Sequence, residues 1–423
     1  MAGRPQAGDD TDPPAVRILV VTHYFPPEIG APQSRLSDLA RLWAEAGDRV
    51  TVLTGMPNHP TGVVPPEYRG RLRVEEEVDG YRVVRTWLYA TPNERIVRKT
   101  IGHVSFMVSS VVLGARRAGR ADVVVVSSPT FFSIFSGWLI ARARRARFVV
   151  EIRDLWPAIF VELGMLHSRF AIWLLTGLEM ASYRAADAVV VVSEGFRDDL
   201  LRRGIDPAKV HVVRNGVDVD AFVPLEPDSS ARERLGATNG DTLVLYVGAH
   251  GISHGLEAVA EAAAELTGEG VQFAFVGEGS AKRRLLERVS ELAVSNIKTL
   301  PGVPHREVPG LLAAADICLV PMRDVPLFAS FIPSKIFEYL AAGKAVVGSV
   351  RGEPAAILTE AGAVVVEPED PAALADAIRG LAADPERRAA MGGRGRRHVV
   401  EHFDRRRLAT KYRAILQQAA DGW

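Results

Sequence analysis

The 423-residue sequence carries 51 Lys+Arg against 51 Asp+Glu, is 48% hydrophobic and holds one cysteine. That balance is ordinary for a globular protein and excludes wholesale disorder; the length suits two or three domains, each able to bury a core. A lone cysteine, Cys318, excludes an internal disulfide or a Cys-based metal cluster, and its apolar surroundings make it small core filler.

Residues 1–15 are polar and Pro-rich and read as a disordered tail, not as a secretory signal. No apolar run reaches the ~18 residues of a membrane span. Arg17–Thr22 and Arg49–Thr54 read as buried strands on either side of a helix over about 34–46, closed at Gly47. Asp122–Ser127, Arg147–Ile152, Ala188–Val192 and Val210–Val213 continue the alternation, giving a first lobe over 16–215. The pattern breaks at Asn215-Gly216-Val217-Asp218. Strands at Thr242–Val247, Val271–Val276, Ile317–Val320, Ala345–Val347 and Ala363–Val366 then predict a second lobe over 216–395. The Arg-rich helical segment 396–423 is expected to pack back across the first lobe. Ala-Asp opens strands at Ala121-Asp122, Ala186-Asp187 and Ala315-Asp316, which points to shared geometry at strand starts and not to a repeat. The expected fold class is α/β, with two doubly wound Rossmann-like lobes facing a cleft. Ligands of such sheets bind at the carboxyl ends of the strands.

Charge divides unevenly between the halves: residues 1–215 hold 28 Lys+Arg and 23 Asp+Glu, and the remainder 23 and 28. Either the first half meets an anionic partner, or its arginines sit on a solvated face. Arg95, Arg98 and Lys99 precede the apolar stretch Ile101–Leu113, and Arg116, Arg117 and Arg120 follow it, with Arg142, Arg144, Arg145 and Arg147 nearby. Peripheral membrane contact through the first lobe is one reading; a core helix with charged ends is the other. Nothing resembles the interleaved aromatic and basic residues of a nucleic-acid reader.

The stretch from Ile332 to Val347 carries the most chemistry. Pro333-Ser334 is a helix start, with Ser334 a candidate N-cap. Lys335 stands in the first turn, where the helix dipole disfavours a cation, so an anion such as a diphosphate is expected in front of it. Glu338, one turn on, either grips both hydroxyls of a ribose or reaches back in a capping box. Arg153-Asp154-Leu155-Trp156 follows a buried strand and faces the cleft. Asp154 there would orient or deprotonate an acceptor hydroxyl and Arg153 would stabilise phosphate charge, or the two form a salt bridge that ties the loop. Gly30, between the first strand and helix, either lets backbone approach a ligand or completes a rigid turn. Glu278, in Gly277-Glu278-Gly279, marks a turn that opens a helix, beside a nucleotide or plain. No cluster of metal-ligating residues stands out, so neither a divalent cation nor another cofactor is expected.

Pro333-Ser334-Lys335-x-x-Glu338-x-Leu340-Ala341-x-Gly343-x-x-Val346 resembles the donor-site motif of the family-4 retaining glycosyltransferases of GT-B fold. Asn215–Asp218 resembles that family's interlobe signature, and Leu243–Gly248 with Gly255-Leu256-Glu257 its first strand and phosphate loop in the second lobe. His23–Ala31 and Arg153–Pro157 resemble the WbuB-like branch, whose members build surface polysaccharides, often from N-acetylated aminosugars. The resemblance implies that Glu338 binds ribose and that Ser334, Gly30 and Gly248 offer backbone donors. It also implies that the segment around Val303 reads the base through backbone, and that the Ser330 and Ile332 region meets the donor sugar.

Departures from the family pattern concern charge. The wider family pairs its Glu with another eight positions earlier, where this chain has Ser330. Ala249 and His254 occupy its phosphate-loop Arg and Lys positions, so the diphosphate is expected to lean on backbone amides, Lys335 and either His250 or His254; Arg153 replaces a His expected beside the anomeric carbon. The resemblance implies transfer of a sugar from a nucleotide donor, UDP-linked, to a hydroxyl acceptor, a lipid-linked one among the candidates. A GT-B nucleotide-sugar epimerase and a non-catalytic nucleotide-sugar-binding homologue remain as rivals. A dehydrogenase is disfavoured, because no Gly-x-Gly-x-x-Gly follows the first strand.

Overall fold

The computed structural model describes residues 15–28, 30–59, 61–92, 96–128, 131–238 and 240–422. The expected tail, apart from residue 15, and Arg95 lie outside them. The first sheet is built from β1 (Arg17–Val21), β2 (Arg49–Gly55), β3 (Arg73–Val78), β4 (Tyr81–Thr86), β5 (Val123–Ser127), β6 (Arg147–Ile152), β7 (Ala188–Val191) and β8 (Val210–Val212), in the order β3-β4-β2-β1-β5-β6-β7-β8. Its helices are α1 (Ala31–Glu45), α2 (Ile96–Ser109), α3 (Phe131–Arg144), α4 (Ala158–Glu162), α5 (Arg169–Ala185) and α6 (Glu194–Arg202). All pairings are parallel except β3 with β4, an edge hairpin that the sequence reading did not assign. Its outer strand alternates poorly and carries Glu75, Glu76 and Glu77, so no buried run marks it.

The second sheet has the order β11-β10-β9-β12-β13-β14, all parallel. It comprises β9 (Thr242–Val247), β10 (Val271–Val276), β11 (Ile297–Leu300), β12 (Ile317–Pro321), β13 (Ala345–Ser349) and β14 (Val364–Val366). The short edge strand β11, half polar, was also missed. Around the sheet lie α7 (Ser229–Arg234), α8 (Leu256–Glu265), α9 (Lys282–Leu292), α10 (Val308–Ala314), α11 (Lys335–Ala341), α12 (Glu353–Glu360) and α13 (Pro371–Ala382). The tail forms α14 (Pro385–His402) and α15 (Arg405–Asp421).

Each sheet is buried on both faces, which is why its strands read as continuous apolar runs. In β5, Val123 and Val125 join the core under α1 and α15, whereas Val124 and Val126 join the core under α3, α5 and α6. Cys318 on β12 is buried and free.

The three Ala-Asp strand starts share one device. The carboxylate of Asp122 accepts the amide of Arg17 at 2.9 Å, Asp187 that of Phe148 at 2.8 Å and Asp316 that of Leu243 at 2.8 Å. Each clips an amide in the first two residues of a neighbouring strand, and each also pairs with an arginine: Arg17, Arg147 and Arg232. A buried amide that water would otherwise satisfy is thereby closed at the bottom of the sheet.

Two passes of chain join the lobes, and they pair with each other. Val217 donates to the carbonyl of Phe403 at 3.1 Å and accepts from the amide of Arg405 at 3.0 Å. Between them α14 packs on α11 and β13 of the second lobe. α15 returns to the first, where Trp43 donates to Ala409 O at 3.1 Å and meets the Tyr412 ring edge-on at 5.2 Å. Arg413 binds Asp48 at 2.7 Å, and Arg405 pairs with Asp38. The crossing falls at Phe403-Asp404, within the segment expected to return.

Gly216 fits this junction because a Cβ there would stand 2.4 Å from the Phe403 carbonyl oxygen and 2.6 Å from Leu408 Cδ1. Backbone cannot swing aside as a side-chain tip can, so Gly216→Ala should cost about 1–3 kcal/mol. A thermal melt should show a midpoint lower by a few degrees; an unchanged midpoint would mean that the crossing tolerates a side chain.

Candidate active site

At the carboxyl edge of the second sheet, β9 ends at Val247 and the chain turns through Gly248, whose φ of +140° suits glycine. A Cβ there would lie 3.2 Å from Lys335 Nζ. The neighbouring loop after β10 is equally tight: a Cβ on Gly277 would fall 1.9 Å from Gly248 O, and one on Gly279 2.4 Å from His250 O. His250 N donates to Glu278 O at 2.9 Å and Ala281 N to His250 O at 2.8 Å, locking the two loops together.

Lys335 projects into this glycine-lined corner. Its ammonium is buried, has no hydrogen-bond partner, and lies 3.6 Å from the centroid of the Tyr246 ring. A cation–π contact offsets part of the lost hydration. Burial still pulls the Lys335 pKa down to about 7, with Glu338 opposing. His250 is fully buried with both ring nitrogens unpartnered, and burial, then Lys282 and Lys335, lowers it to about 4. His254 is lowered to about 3 by burial and then Lys335; its Nδ1 lies 3.4 Å from Pro321 O. Both rings flank Tyr246, at 5.7 and 5.9 Å. A buried cation, the unpartnered imidazole of His250 and the neighbouring neutral ring of His254 around a glycine corner form surroundings that favour an anion over a further cation.

Several sequence expectations change here. Ser334 is not a side-chain N-cap: its backbone is helical (φ −60°, ψ −26°) and its hydroxyl accepts no first-turn amide. The Pro333 and Ser334 carbonyls take the Ile336 and Phe337 amides, both at 3.1 Å, instead. Those two amides are therefore not available to a ligand, and Lys335 carries more of the site than expected. Glu338 forms no capping box either. Its Oε1 lies 3.0 Å from His305 Nε2, and that contact raises the His305 pKa. His305, four residues beyond Pro301, was missed in the sequence because nothing local ties it to Glu338. Ile332 is buried in the second-lobe core, so its side chain faces no ligand, and Val303 packs half-buried against the same core. The Glu278 carboxylate pairs outward with Lys282 at 2.7 Å. Ser330 abuts the first lobe, where a Cβ on Gly195 would meet its Oγ at 2.3 Å.

On the first lobe, Arg153 and Asp154 follow β6. The guanidinium has Nε and Nη1 buried and unpartnered. Burial lowers Arg153 to about 10 against the pull of Glu151, and burial raises Asp154. No ion pair joins the two among the described residues, so the salt-bridge alternative finds no support. Glu151 is itself buried, bound to Arg35 at 3.0 Å and to Ser127 Oγ at 2.7 Å. Gly30 is extended (φ 164°); a Cβ would stand 2.4 Å from Gln33 Oε1, and its carbonyl takes the Ser34 amide at 3.1 Å.

The structure also assembles a group that the sequence does not reveal. His23 after β1, His59 after β2 and His103 on α2 gather around Tyr24. The Tyr24 hydroxyl lies 3.3 Å from His103 Nε2, and the His23 and His103 rings are 4.6 Å apart. Burial lowers all three imidazoles, His103 to about 4. The lobes meet beside these edges: Glu353 accepts from Arg214 Nε at 2.9 Å and Gly195 N at 3.2 Å, and the Phe196 and Phe331 rings lie 5.0 Å apart.

Spacing suggestive of metal ligands does occur, at His250/His254, His398/His402 and Asp218/Asp220. Among the described residues, however, no group of three or more His, Cys, Asp or Glu is placed to hold an ion. The Asp218 carboxylate accepts the Asp220 and Ala221 amides at 3.0 and 3.2 Å.

Residues 30–216 match the Glycosyl transferase 4-like domain and residues 228–398 match the Glycosyl transferases group 1 family. A protein of Escherichia coli named for colanic acid biosynthesis, the glycosyl transferase WcaI, is 28% identical over 374 residues, covering 86% of this chain and 91% of that one. The GDP-mannose-dependent α-(1-6)-phosphatidylinositol monomannoside mannosyltransferase of Mycolicibacterium smegmatis is 27% identical, covering 94% and 98%. Among solved structures, a sucrose-phosphate synthase from Thermosynechococcus elongatus superposes with a TM-score of 0.73 at 21% identity, covering 95% and 98%. HepE of Anabaena, in complex with UDP and glucose, gives 0.72 at 16% identity, covering 95% and 100%. These structural likenesses establish the GT-B fold.

A base whose folded pKa is depressed costs stability that is fully present below the folded value and disappears as pH rises toward the unfolded one. Lys335→Met should therefore stabilise the protein below about pH 7, by on the order of a few kcal/mol. The gap should close between about pH 7 and 10. Denaturant titrations across that range check it; a gap independent of pH would mean that the ammonium is hydrated.

Proposed function

Since the chain belongs to the glycosyltransferases that join a 4-like domain to a group 1 domain, we propose that it moves an N-acetylated hexosamine or related sugar from a UDP-type donor to a hydroxyl acceptor in surface-glycan synthesis. The configuration at the anomeric carbon is retained and the acceptor is lipid-linked. The observation that carries the reading is the buried, unpartnered ammonium of Lys335 in the Gly248 corner, a place built for the diphosphate of a nucleotide.

In this reading the bond between the anomeric carbon and the diphosphate oxygen breaks. The acceptor oxygen bonds the same face of that carbon, and the acceptor proton passes to the departing diphosphate. Lys335 and, across the cleft, Arg153 meet the developing negative charge, so no metal ion is required. Neutral His250 and His254 donate or accept hydrogen bonds without adding charge. Glu338, steadied by His305, turns to the ribose hydroxyls, and Asp154 orients the acceptor. The UDP-bound HepE structures support a UDP donor; the GDP-mannose relative argues for testing other bases. The epimerase and non-catalytic readings gain nothing from relatives named as transferases and synthases.

Purified protein incubated with UDP-, GDP- and ADP-sugars should release UDP only when acceptor lipid extract is present. Release without acceptor, or from GDP-sugars alone, would overturn the reading. Lys335→Ala should lower turnover by roughly 10²- to 10³-fold and weaken UDP binding, while Glu338→Ala should raise the donor KM about tenfold through one lost charged hydrogen bond.

Binding of UDP should also move protons. A diphosphate favours the ammonium form of Lys335, so complexation should take up close to one proton at about pH 8 and almost none at about pH 6. Calorimetry in buffers of different ionisation enthalpy reads this directly; equal uptake by Lys335→Ala would place the titrating group elsewhere.

A further inference from the structure

α2, α3 and α5 lie side by side on one face of the first sheet, α2 against α3 and α3 against α5. Their inner faces hold the core, and their outer faces are unusually apolar. On α2, Val97 and Ile101 are 70% and 48% exposed and Val108 51%; their spacing of four and seven residues puts them on one stripe. Val112, 69% exposed, extends it into the π-helical turn Ser110–Gly114. Trp138 and Leu139 project from α3, and Phe170 and Trp173, 69% and 70% exposed, from the first turns of α5. Isolated exposed hydrophobics are commonplace, but bulky ones repeated on three adjacent helices form a patch that calls for a partner.

The charges around this patch choose the partner. Residues 96–148 contain nine Lys+Arg and a single acid, Asp122, and Asp122 is tied to Arg17. Arg98, Lys99, Arg116, Arg117, Arg120, Arg142 and Arg145 are exposed, on α2 or at the ends of the segments that carry the α2 and α3 apolar side chains. An apolar face that includes two tryptophans, rimmed by cations, suits the interface of an anionic bilayer, where rings sit at headgroup depth and each cation gains from the surface potential. No helix among the described residues is long and apolar enough to cross a membrane, so contact of this kind is peripheral.

We propose that the outer face of α2, α3 and α5 docks the first lobe on an anionic phospholipid bilayer. The same helix α2 carries His103 to the Tyr24 cluster at the cleft edge. Docking through it sets the mouth of the first lobe close to the lipid surface. This surface is independent of the donor chemistry of the cleft.

Co-sedimentation with vesicles tests it. The protein should bind phosphatidylcholine vesicles containing phosphatidylglycerol and not vesicles of phosphatidylcholine alone, and the binding should weaken at high salt. Arg116→Glu/Arg142→Glu/Arg145→Glu should lower affinity at least about tenfold, and so should Phe170→Ser/Trp173→Ser. Both variants should keep the parent's melting temperature and UDP affinity. Because the altered side chains are exposed, a fold-preserving set is expected; if one variant fails to fold, the other still decides. Equal binding to neutral vesicles, undiminished binding by the folded variants, or a dimer of the parent that Phe170→Ser/Trp173→Ser dissociates would overturn the proposal.

Discussion

A positive charge held out of water without a counter-charge is the constraint around which the second lobe is arranged. Placing Lys335 in the first turn of α11 sets it against the helix dipole and removes it from solvent. The surroundings lessen that cost without cancelling it. The face of Tyr246 lies against the ammonium, and Tyr246 is anchored through its hydroxyl to Ala249 O at 2.6 Å. Glycine at 248, 277 and 279 avoids Cβ contacts with Lys335 Nζ, Gly248 O and His250 O. In such surroundings an anion would gain more than in water, because the low dielectric that penalises the lone cation also strengthens its pairing.

The first lobe answers with a different electrostatic design. Its buried cation, Arg153, keeps its charge despite desolvation, since a guanidinium shifted to about 10 stays protonated at neutral pH. Glu151 lies behind it but is committed to Arg35 and Ser127. At the ends of β1 and β2 on the same sheet edge, burial lowers the imidazoles of His23 and His59, and with them His103. One edge thus offers a fixed cation, and the opposite edge a lysine that burial brings to about 7, close to losing its charge.

Much of the architecture was legible in the chain because parallel sheets buried on both faces write themselves as unbroken Val/Ile runs; β5 and β7 are the plainest cases. The edge strands β3 and β11 were not, since one side of each is wet and their residues are mixed. At the site, Lys335 and Gly248 were readable from helix and loop position. Partners distant in sequence were not. Glu338 meets His305 from 33 positions away and Tyr24 meets His103 from 79, and no local periodicity encodes such pairs. Ser334 misled because a Ser before a helix usually caps it, whereas here the backbone has already turned helical and its own carbonyls satisfy the first amides.

The pairing of Val217 with Asp404 has a consequence for how such a chain can be divided. Severing it after the eighth strand would yield a head lacking its last helix, with Trp43 stripped of the Tyr412 ring and the Ala409 carbonyl. The lobes are therefore interleaved in sequence although distinct in space. Any exchange of halves among relatives, by recombination or by design, has to carry head and tail together while replacing the middle.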